Sequence, residues 1–265
     1  MIAAENIHVT FNRGTPLEHK ALRGVSLTLA DGEFVTVIGS NGAGKSTLLG
    51  AIAGDVTPEK GVIRVGADDV TREKPALRAR RVARVFQDPL AGSCANLSIE
   101  ENLALAACRG VRRGLGLALN GARRARLRDR VAELGLGLEN RMGDRMGLLS
   151  GGQRQALALV MATLADAKVL LLDEHTAALD PGMAEFVANL TEKLVVEHKL
   201  TTLMVTHSMR QALDHGTRTI MLHEGQIVLD ISGERRRTMT VDDLVDMFRR
   251  VRGGAELDDD SLRIG

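Results

Sequence analysis

The residues best suited to chemistry form a glycine-rich run that follows a short apolar segment. The run, hereafter the phosphate loop, consists of Gly39, Ser40, Asn41, Gly42, Ala43, Gly44, Lys45, Ser46 and Thr47. Its glycines allow the backbone to curl so that consecutive N–H groups point at phosphate oxygens. Lys45 supplies a positive charge, Ser46 offers a hydroxyl to Mg²⁺, and a helix expected to begin near Lys45 adds the positive end of its dipole. The run predicts binding of ATP with Mg²⁺, and the alternative is a glycine-rich turn that matches by chance.

A second run places two acidic residues at the end of an apolar strand. Val169–Leu172 is continuously apolar, as a buried strand would be, and Asp173 and Glu174 follow it directly. An aspartate in this position can hold the magnesium shell of a nucleotide, and the glutamate beside it suits a general base that polarises the attacking water. Acidic residues after a strand also serve as helix caps, so Glu174 is informative only because Asp173 precedes it. The pair predicts hydrolysis of the bound ATP.

A third run, hereafter the signature segment, consists of Ser150, Gly151, Gly152 and Gln153. Ser150 can cap the helix expected to follow, and the two glycines leave backbone N–H groups uncovered. The segment therefore predicts a second anion site. One triphosphate has no need of two separate helix N-termini from a single chain unless the arrangement is special.

The three runs in this order resemble the nucleotide-binding subunits of ABC (ATP-binding cassette) transporters. Leu-Ser-Gly-Gly-Gln at residues 149–153 is highly specific in this position, and the resemblance covers about residues 2–232. It implies an α/β fold: a P-loop NTPase core with a mixed sheet, an antiparallel β subdomain and an inserted α-helical subdomain. It also implies a head-to-tail homodimer in which each ATP lies between the phosphate loop of one copy and the signature segment of the other.

Further residues receive roles through this resemblance. Gln87, after the apolar run Val82–Phe86, is similar to the glutamine that meets the metal and the attacking water and marks the hinge into the helical subdomain. His207 is similar to the switch histidine, which touches the γ-phosphate and positions Glu174, although a lone histidine at a strand end is usually structural. Asp180 is similar to the aspartate that communicates across the dimer.

Two positions carry open alternatives. Phe11 stands where the family places an aromatic ring under adenine, and stacking there would contribute about 1–3 kcal/mol, but a core-filling role is the alternative. His175 stands where the family usually has proline. It restores a backbone N–H and adds a titratable ring near the γ-phosphate, which would influence the pH profile; a neutral replacement is the favoured alternative.

Apolar and alternating runs predict the strands and helices that position these residues. The predicted strands are Ile7–Phe11, Val25–Leu29, Glu33–Ile38, Val82–Phe86, Val169–Leu172, Thr202–Thr206, Thr219–His223 and Gln226–Asp230. The first two alternate as half-exposed antiparallel strands do, and the last two flank a hairpin turn at Glu224-Gly225. The predicted helices are Leu97–Ala107, Ala122–Leu134, Gln153–Ala165 and Val241–Val251, the last with Thr240 and Asp243 as a capping pair.

These elements predict one ATPase domain and a short C-terminal extension. The predicted bounds are 1–232 for the domain, with a core of 1–87 and 162–232 around a helical subdomain of 88–161, and 233–265 for a C-terminal helix and a loose tail from 253. The C-terminal helix is too short for the regulatory domain that some importers carry, so regulation by that route is not expected.

Composition restricts the class of protein. The chain of 265 residues has 35 basic and 34 acidic side chains, which give no overall field toward nucleic acid or membrane. The N-terminus lacks the features of a signal peptide, and no apolar stretch approaches the roughly 20 residues of a membrane span. Cys94 and Cys108 are too few for a disulfide framework and suit a reducing cytosol. With no Trp, no Tyr and five Phe, any ring that stacks on a base must be a phenylalanine.

A basic stretch in the helical region has two interpretations. It comprises Arg109, Arg112, Arg113, Arg123, Arg124, Arg126, Arg128 and Arg130. A solvated helix face is the favoured interpretation, and contact with anionic lipid headgroups is the alternative.

The sequence therefore predicts the ATP-hydrolysing subunit of a prokaryotic ABC transporter, at the cytoplasmic face of the inner membrane and on a separate permease. Residues 173–180 and 202–209 resemble a branch that works with an extracytoplasmic substrate-binding protein, which implies import, in particular of amino acids such as tryptophan or tyrosine. The alternative is a soluble ABC-type ATPase in DNA repair or translation. Such relatives carry a coiled-coil insertion or tandem cassettes, which this chain lacks, and its near-neutral charge gives no basic footprint for nucleic acid.

Overall fold

The computed structural model describes residues 1–110 and 118–251. The strands are β1 (Ile2–Phe11), β2 (His19–Leu29), β3 (Phe34–Ile38), β4 (Lys60–Val65), β5 (Asp68–Asp69), β6 (Val82–Val85), β7 (Val169–Asp173), β8 (Thr201–Val205), β9 (Arg218–His223) and β10 (Gln226–Ser232). The helices are α1 (Lys45–Ala53), α2 (Pro75–Arg78), α3 (Ile99–Ala107), α4 (Gly121–Ala132), α5 (Gly151–Thr163), α6 (Pro181–His198), α7 (Met209–Asp214), α8 (Gly233–Arg237) and α9 (Val241–Val251). The chain divides into two compact units, one of Met1–Arg78 with the described chain from Lys199 onward, the other of Ala79–His198.

An antiparallel sheet occupies the N-terminal part of the first unit, in the order β2-β1-β4-β5. The two alternating segments are antiparallel strands, as predicted, and they pair with each other, with Ile7 opposite Val25 and Ile2 opposite Leu29. Alternation places Val25, Leu27 and Leu29 in the core and turns the residues between them outward. Both strands extend beyond the predicted bounds, and β4, which also pairs with β1, was not predicted.

The apolar strand β3 carries the phosphate loop of the first unit. Its five residues are all buried, and it pairs in parallel with β8 on one side and β9 on the other. A strand that is covered on both faces needs a continuous apolar run, which is how it was predicted. The predicted hairpin of β9 and β10 is confirmed, and its turn residues Glu224 and Gly225 have φ of 45° and 77°, as a two-residue type I′ turn requires.

The second unit contains the parallel pair β6 and β7, with Val82 opposite Val169, and a group of helices. The predicted helices are confirmed to within a few residues as α3, α4 and α5. Their shared core includes Leu103, Leu127 and Leu157. The 18-residue helix α6 was not predicted. The predicted domain bounds at 88 and 161 remain predictions.

Some predictions fall outside the described residues, namely the arginines 112 and 113 and the tail from 253. Within residues 1–110 and 118–251, no helix is both long enough and apolar enough to cross a membrane.

Candidate functional site

The phosphate loop of the first unit has the backbone that its glycines were predicted to provide. Gly39, Gly42 and Gly44 have φ of 152°, 78° and 102°. A Cβ at Gly39 would overlap the carbonyl oxygen of Leu222, and one at Gly44 would lie 2.5 Å from that of Ala21. At Gly42 the surrounding space is open, so only the left-handed φ requires glycine there.

Lys45 is folded into this loop. Its ammonium donates to the carbonyl oxygens of Gly39, at 2.7 Å, and Ser40, at 3.2 Å, and the residue is buried. The loop therefore has the shape and the charge to receive phosphate oxygens. The hydroxyl of Ser46, at the start of α1, is a hard oxygen ligand of the kind that Mg²⁺ prefers.

The β9–β10 hairpin supports the phosphate loop, a contact that sequence reasoning missed. The backbone N–H of Gly225 donates to the carbonyl of Ala43 at 3.1 Å, and the N–H of Arg23 donates to the carbonyl of Gly225 at 2.8 Å. A turn sequence predicts a hairpin but not what the hairpin touches, so no sequence signal for this contact was available.

Phe11 ends β1 and is 40% exposed. This exposure excludes the core-filling alternative. It leaves the ring available to stack on a flat ligand, as the resemblance implies.

His207 is half-buried and lies two residues after Val205, the last residue of β8. Its two neighbours are fixed by hydrogen bonds: the Thr206 hydroxyl donates to Oε1 of Gln211 at 3.0 Å, and the Ser208 N–H donates to the Thr206 hydroxyl oxygen at 3.1 Å. Ser208 also caps α7, because its hydroxyl oxygen accepts from the Gln211 N–H at 3.2 Å. The histidine thus lies on a backbone held from both sides.

The acidic pair lies in the second unit, at the end of β7. Asp173 is buried, and its Oδ2 accepts from Nη2 of Arg84 at 2.7 Å. The Arg84 guanidinium lies 4.6 Å from the ring centroid of Phe86, a cation–π contact. Glu174 has a φ of 46°, which is uncommon for a residue with a side chain and is typical of strained functional positions. The Asp173 carboxylate, which Arg84 holds at the end of β7, is a suitable ligand for Mg²⁺.

His175 is buried, and its ring is held by α6. Its Nε2 lies 3.0 Å from the hydroxyl oxygen of Thr191. The Thr191 hydroxyl donates to the carbonyl of Val187 at 2.8 Å, so its oxygen is left to accept from an imidazole N–H. The ring that replaces the family's proline is therefore an internal anchor between the acidic pair and α6.

The signature segment forms the predicted helix start of α5. Ser150 and Gln153 make a capping box, in which the Gln153 N–H donates to the Ser150 hydroxyl oxygen at 3.3 Å and the Ser150 N–H donates to Oε1 of Gln153 at 3.2 Å. Gln153 thus has a local structural role beside its predicted one. Ser150 is exposed, as a group that binds a ligand on another copy must be.

A buried glutamine on α5, which sequence reasoning missed, links this helix to the segment around Gln87. Gln155 on α5 is fully buried, and its Nε2 donates to the carbonyl oxygen of Phe86 at 3.1 Å. Gln87 itself is exposed.

Asp180 has a structural role beside its predicted one, because its Oδ1 accepts from the Met183 N–H at 3.0 Å and caps α6.

Several arginines of the basic stretch make contacts within the second unit, two of them as ion pairs. Arg124 pairs with Glu100 at 3.1 Å, Arg130 pairs with Glu133 at 3.0 Å, and Nη2 of Arg128 donates to the side chain of Asn140. Arg109 donates to the carbonyl of Ala162, and burial lowers its pKa. For Arg109, Arg124, Arg128 and Arg130, these contacts favour a role within the protein over contact with lipid headgroups.

The phosphate loop, Phe11 and His207 thus lie in the first unit, and the acidic pair, Gln87, Asp180 and the signature segment lie in the second.

The family described as ABC transporter matches residues 22–177. The tyrosine transport ATP-binding protein of Clostridioides difficile (strain R20291) is 40% identical over 248 residues, 94% of this chain and 98% of that protein. A thiamine import ATP-binding protein of Salmonella typhimurium is 37% identical over 215 residues, 80% of this chain and 86% of that protein.

Solved structures with the same fold are ATP-binding cassettes. One, a dimer in a post-hydrolysis state with ADP and Pi, gives a TM-score of 0.75 at 28% identity and covers 88% of this chain and 98% of its own. Another, a cassette in its ADP conformation, gives a TM-score of 0.77 at 25% identity and covers 95% of this chain and 97% of its own.

Proposed function

This chain belongs to the ATP-binding subunits of ABC transporters, which bind ATP with Mg²⁺ and hydrolyse it, and we propose that its hydrolysis powers solute import through a separate membrane permease. The observation that carries the proposal is the match with the tyrosine transport protein, which runs along nearly the whole of both chains. A second relative is also named for import, of thiamine. We propose an amino acid with an aromatic side chain as the cargo and an extracytoplasmic binding protein as the component that delivers it.

The proposed chemistry assigns a role to each residue. Backbone N–H groups of the phosphate loop and the ammonium of Lys45 bind the phosphates, and Phe11 stacks on adenine. Ser46, Gln87 and Asp173 hold Mg²⁺, which neutralises charge on the triphosphate. Glu174 accepts a proton from the attacking water, and His207 orients that carboxylate and contacts the γ-phosphate.

The proposed working form is a head-to-tail homodimer at the cytoplasmic face of the membrane. The signature segment of one copy, whose Ser150 is exposed, supplies the Ser150 hydroxyl and backbone N–H groups to the ATP held by the other copy. Asp180 acts across the same interface. ATP then favours the closed dimer because each nucleotide is complete only with donors from both copies. Hydrolysis removes the γ-phosphate that links the two copies. The dimer then opens, and this movement changes the conformation of the permease.

Variants of the two central residues test these roles. We expect Glu174→Gln to lower turnover by about 10²–10⁴-fold and to leave a stable ATP-bound dimer in size-exclusion chromatography. Glu185→Gln, which changes an exposed acid on α6, is the matched control and should keep the parental rate. Parental turnover in Glu174→Gln would remove this residue from the role of base.

The composite site is tested by mixing two inactive proteins. Lys45→Ala and Ser150→Arg should each abolish hydrolysis, and Ser150→Arg should still bind ATP. A mixture of the two forms heterodimers with one undamaged site, because both changes fall in the other site. Recovery of ATPase activity on mixing supports the head-to-tail arrangement, and a mixture as inactive as its components contradicts it.

Partner and cargo are tested from native membranes. Tagged Glu174→Gln protein with ATP, recovered from detergent extract, should bring down a multi-span permease, which the same protein with ADP should recover less well. Recovery of only soluble or ribosomal proteins would contradict the transporter proposal and favour a soluble ABC-type ATPase. After reconstitution with the permease and its binding protein, tyrosine or tryptophan should stimulate ATPase activity, and stimulation by thiamine alone would correct the cargo.

A further inference from the structure

The helix that follows His207 is too short to be stable by itself. α7 has six residues, from Met209 to Asp214. A helix of this length has almost no internal hydrogen bonds beyond its end groups, and its last carbonyls need outside donors. What holds α7 also holds the backbone on which His207 lies.

One buried guanidinium supplies those donors. Arg236, on α8, is only 8% exposed. Its Nη2 donates to the carbonyl oxygens of Ala212 at 2.8 Å and Leu213 at 3.1 Å and to that of His215, while its Nε donates to the hydroxyl oxygen of Thr219 on β9 at 2.9 Å. A planar cation at a helix C-terminus also interacts favourably with the helix dipole. Arg236 therefore closes the C-terminal end of α7 and ties it to the sheet.

The C-terminal helix α9 covers the side of α7. Met209 and Ala212 of α7 belong to a buried cluster with Leu244, Val245 and Phe248 of α9. The C-terminal extension thus holds α7 by two means, a guanidinium at its end and an apolar face along its side. Its only expected features were a helix and a tail.

The other end of α7 leads to His207. Ser208 caps the helix, and Gln211, one turn in, is bonded to both neighbours of His207 through the Ser208 and Thr206 hydroxyls. A shift of α7 therefore moves the backbone on both sides of the histidine. Arg236 lies at the far end of the same helix.

We propose that Arg236 is a positioning residue for ATP hydrolysis, which acts through α7 to hold His207 in place. The proposal rests on the proposed contact of His207 with the γ-phosphate. It gives the C-terminal extension a part in ATP turnover.

The test compares two neighbouring arginines. Arg236→Leu removes the buried guanidinium, and Arg237→Leu removes an exposed one, whose side chain is 77% accessible and pairs with Glu234. Because misplacement of a reacting group by about 1 Å can cost as much as 10²-fold, we expect Arg236→Leu to lower kcat about 10-fold and to leave the Kd for ATP within about 2-fold. Arg237→Leu should match the parent in both. Equal kcat in the two variants would overturn the proposal.

A double-mutant cycle with His207→Ala shows whether the effect passes through the histidine. In the His207→Ala background, Arg236→Leu should have almost no further effect on kcat. The same loss in both backgrounds would mean that Arg236 acts elsewhere and would overturn the inference alone. If His207→Ala keeps the parental rate, the proposed role of His207 fails, and the inference fails with it. Should Arg236→Leu not fold, Arg236→Lys is the second variant, because lysine keeps the positive charge but lacks the planar guanidinium with its several N–H donors. It should give an intermediate kcat at an unchanged ATP Kd. A parental kcat in Arg236→Lys would count against the proposal.

Discussion

The two adjacent glycines of the signature segment should differ in how their replacement by alanine changes the stability of the fold. A Cβ at Gly152 would lie 2.6 Å from Cε, 2.9 Å from Cγ and 3.0 Å from Cβ of Met183, whereas a Cβ at Gly151 would meet only Leu179, at 3.8 Å. Neither glycine has a positive φ, so packing alone decides the outcome. Overpacking costs about 1–3 kcal/mol, and exchanging glycine for alanine in a helix gains up to about 1 kcal/mol. We expect Gly152→Ala to lower the free energy of unfolding by about 1–2 kcal/mol and Gly151→Ala to leave it unchanged or raise it by up to about 1 kcal/mol.

Urea unfolding followed by far-ultraviolet circular dichroism measures the difference, since the chain has no Trp or Tyr for fluorescence. Gly152→Ala combined with Met183→Ala removes the two nearest atoms and should recover part of the loss, with Met183→Ala alone as the reference for its own cavity. If Gly152→Ala and Gly151→Ala unfold at the same urea concentration, the close approach of Met183 is not what requires glycine. The signature segment would then need its second glycine for the ligand alone.

Three further predictions concern buried polar contacts and pH. Thr191→Val leaves the ring of His175 without its hydroxyl acceptor and should lower the free energy of unfolding by about 1–3 kcal/mol in a denaturant titration. Asn102→Ala removes the side-chain amide that donates to three backbone carbonyls in the segment before α3. It should lower the free energy of unfolding by about 2–4 kcal/mol in the same titration, and an unchanged free energy of unfolding would contradict this. The N–H and hydroxyl of Ser98 lower the pKa of Glu101 from its ordinary 4.5, so the stability that this carboxylate contributes is present above that value and is lost as pH falls through the lowered pKa. Glu101→Gln should therefore lose less stability than the parent between about pH 7 and pH 3, and equal losses would contradict this assignment.

Patterns that act along the chain predicted much of this structure. The capping pair Thr240 and Asp243 predicted the start of α9, and the Asp243 carboxylate does accept a hydrogen bond from the Thr240 hydroxyl at 2.7 Å. Continuous apolar runs gave β3 and β7, because strands covered on both faces need them. α6 was missed although a signal existed: Asp180 followed by Pro181 is a cap followed by the residue type favoured at the first helical position.

Contacts between distant parts of the chain were beyond such patterns. Gln155 bonds to a backbone carbonyl 69 residues away, and the partners of Arg236 are mostly carbonyls more than 20 residues away. Every residue has a carbonyl, so its side-chain type gives no sign that a distant donor will reach it. For His175, neither alternative, a ring that influences the pH profile or a neutral replacement of proline, included its contact with Thr191, because Thr191 lies on the helix that was not predicted.

The exposed ring of Phe11 has a practical consequence. Because the chain contains neither indole nor phenol, it emits almost no light of its own above the range of phenylalanine. Phe11→Trp would introduce a single fluorophore at the end of β1, where the native ring is open to solvent. With the proposed stacking of residue 11 on adenine, its emission would change when the nucleotide binds and leaves, and no label would be needed on the protein or on the ATP.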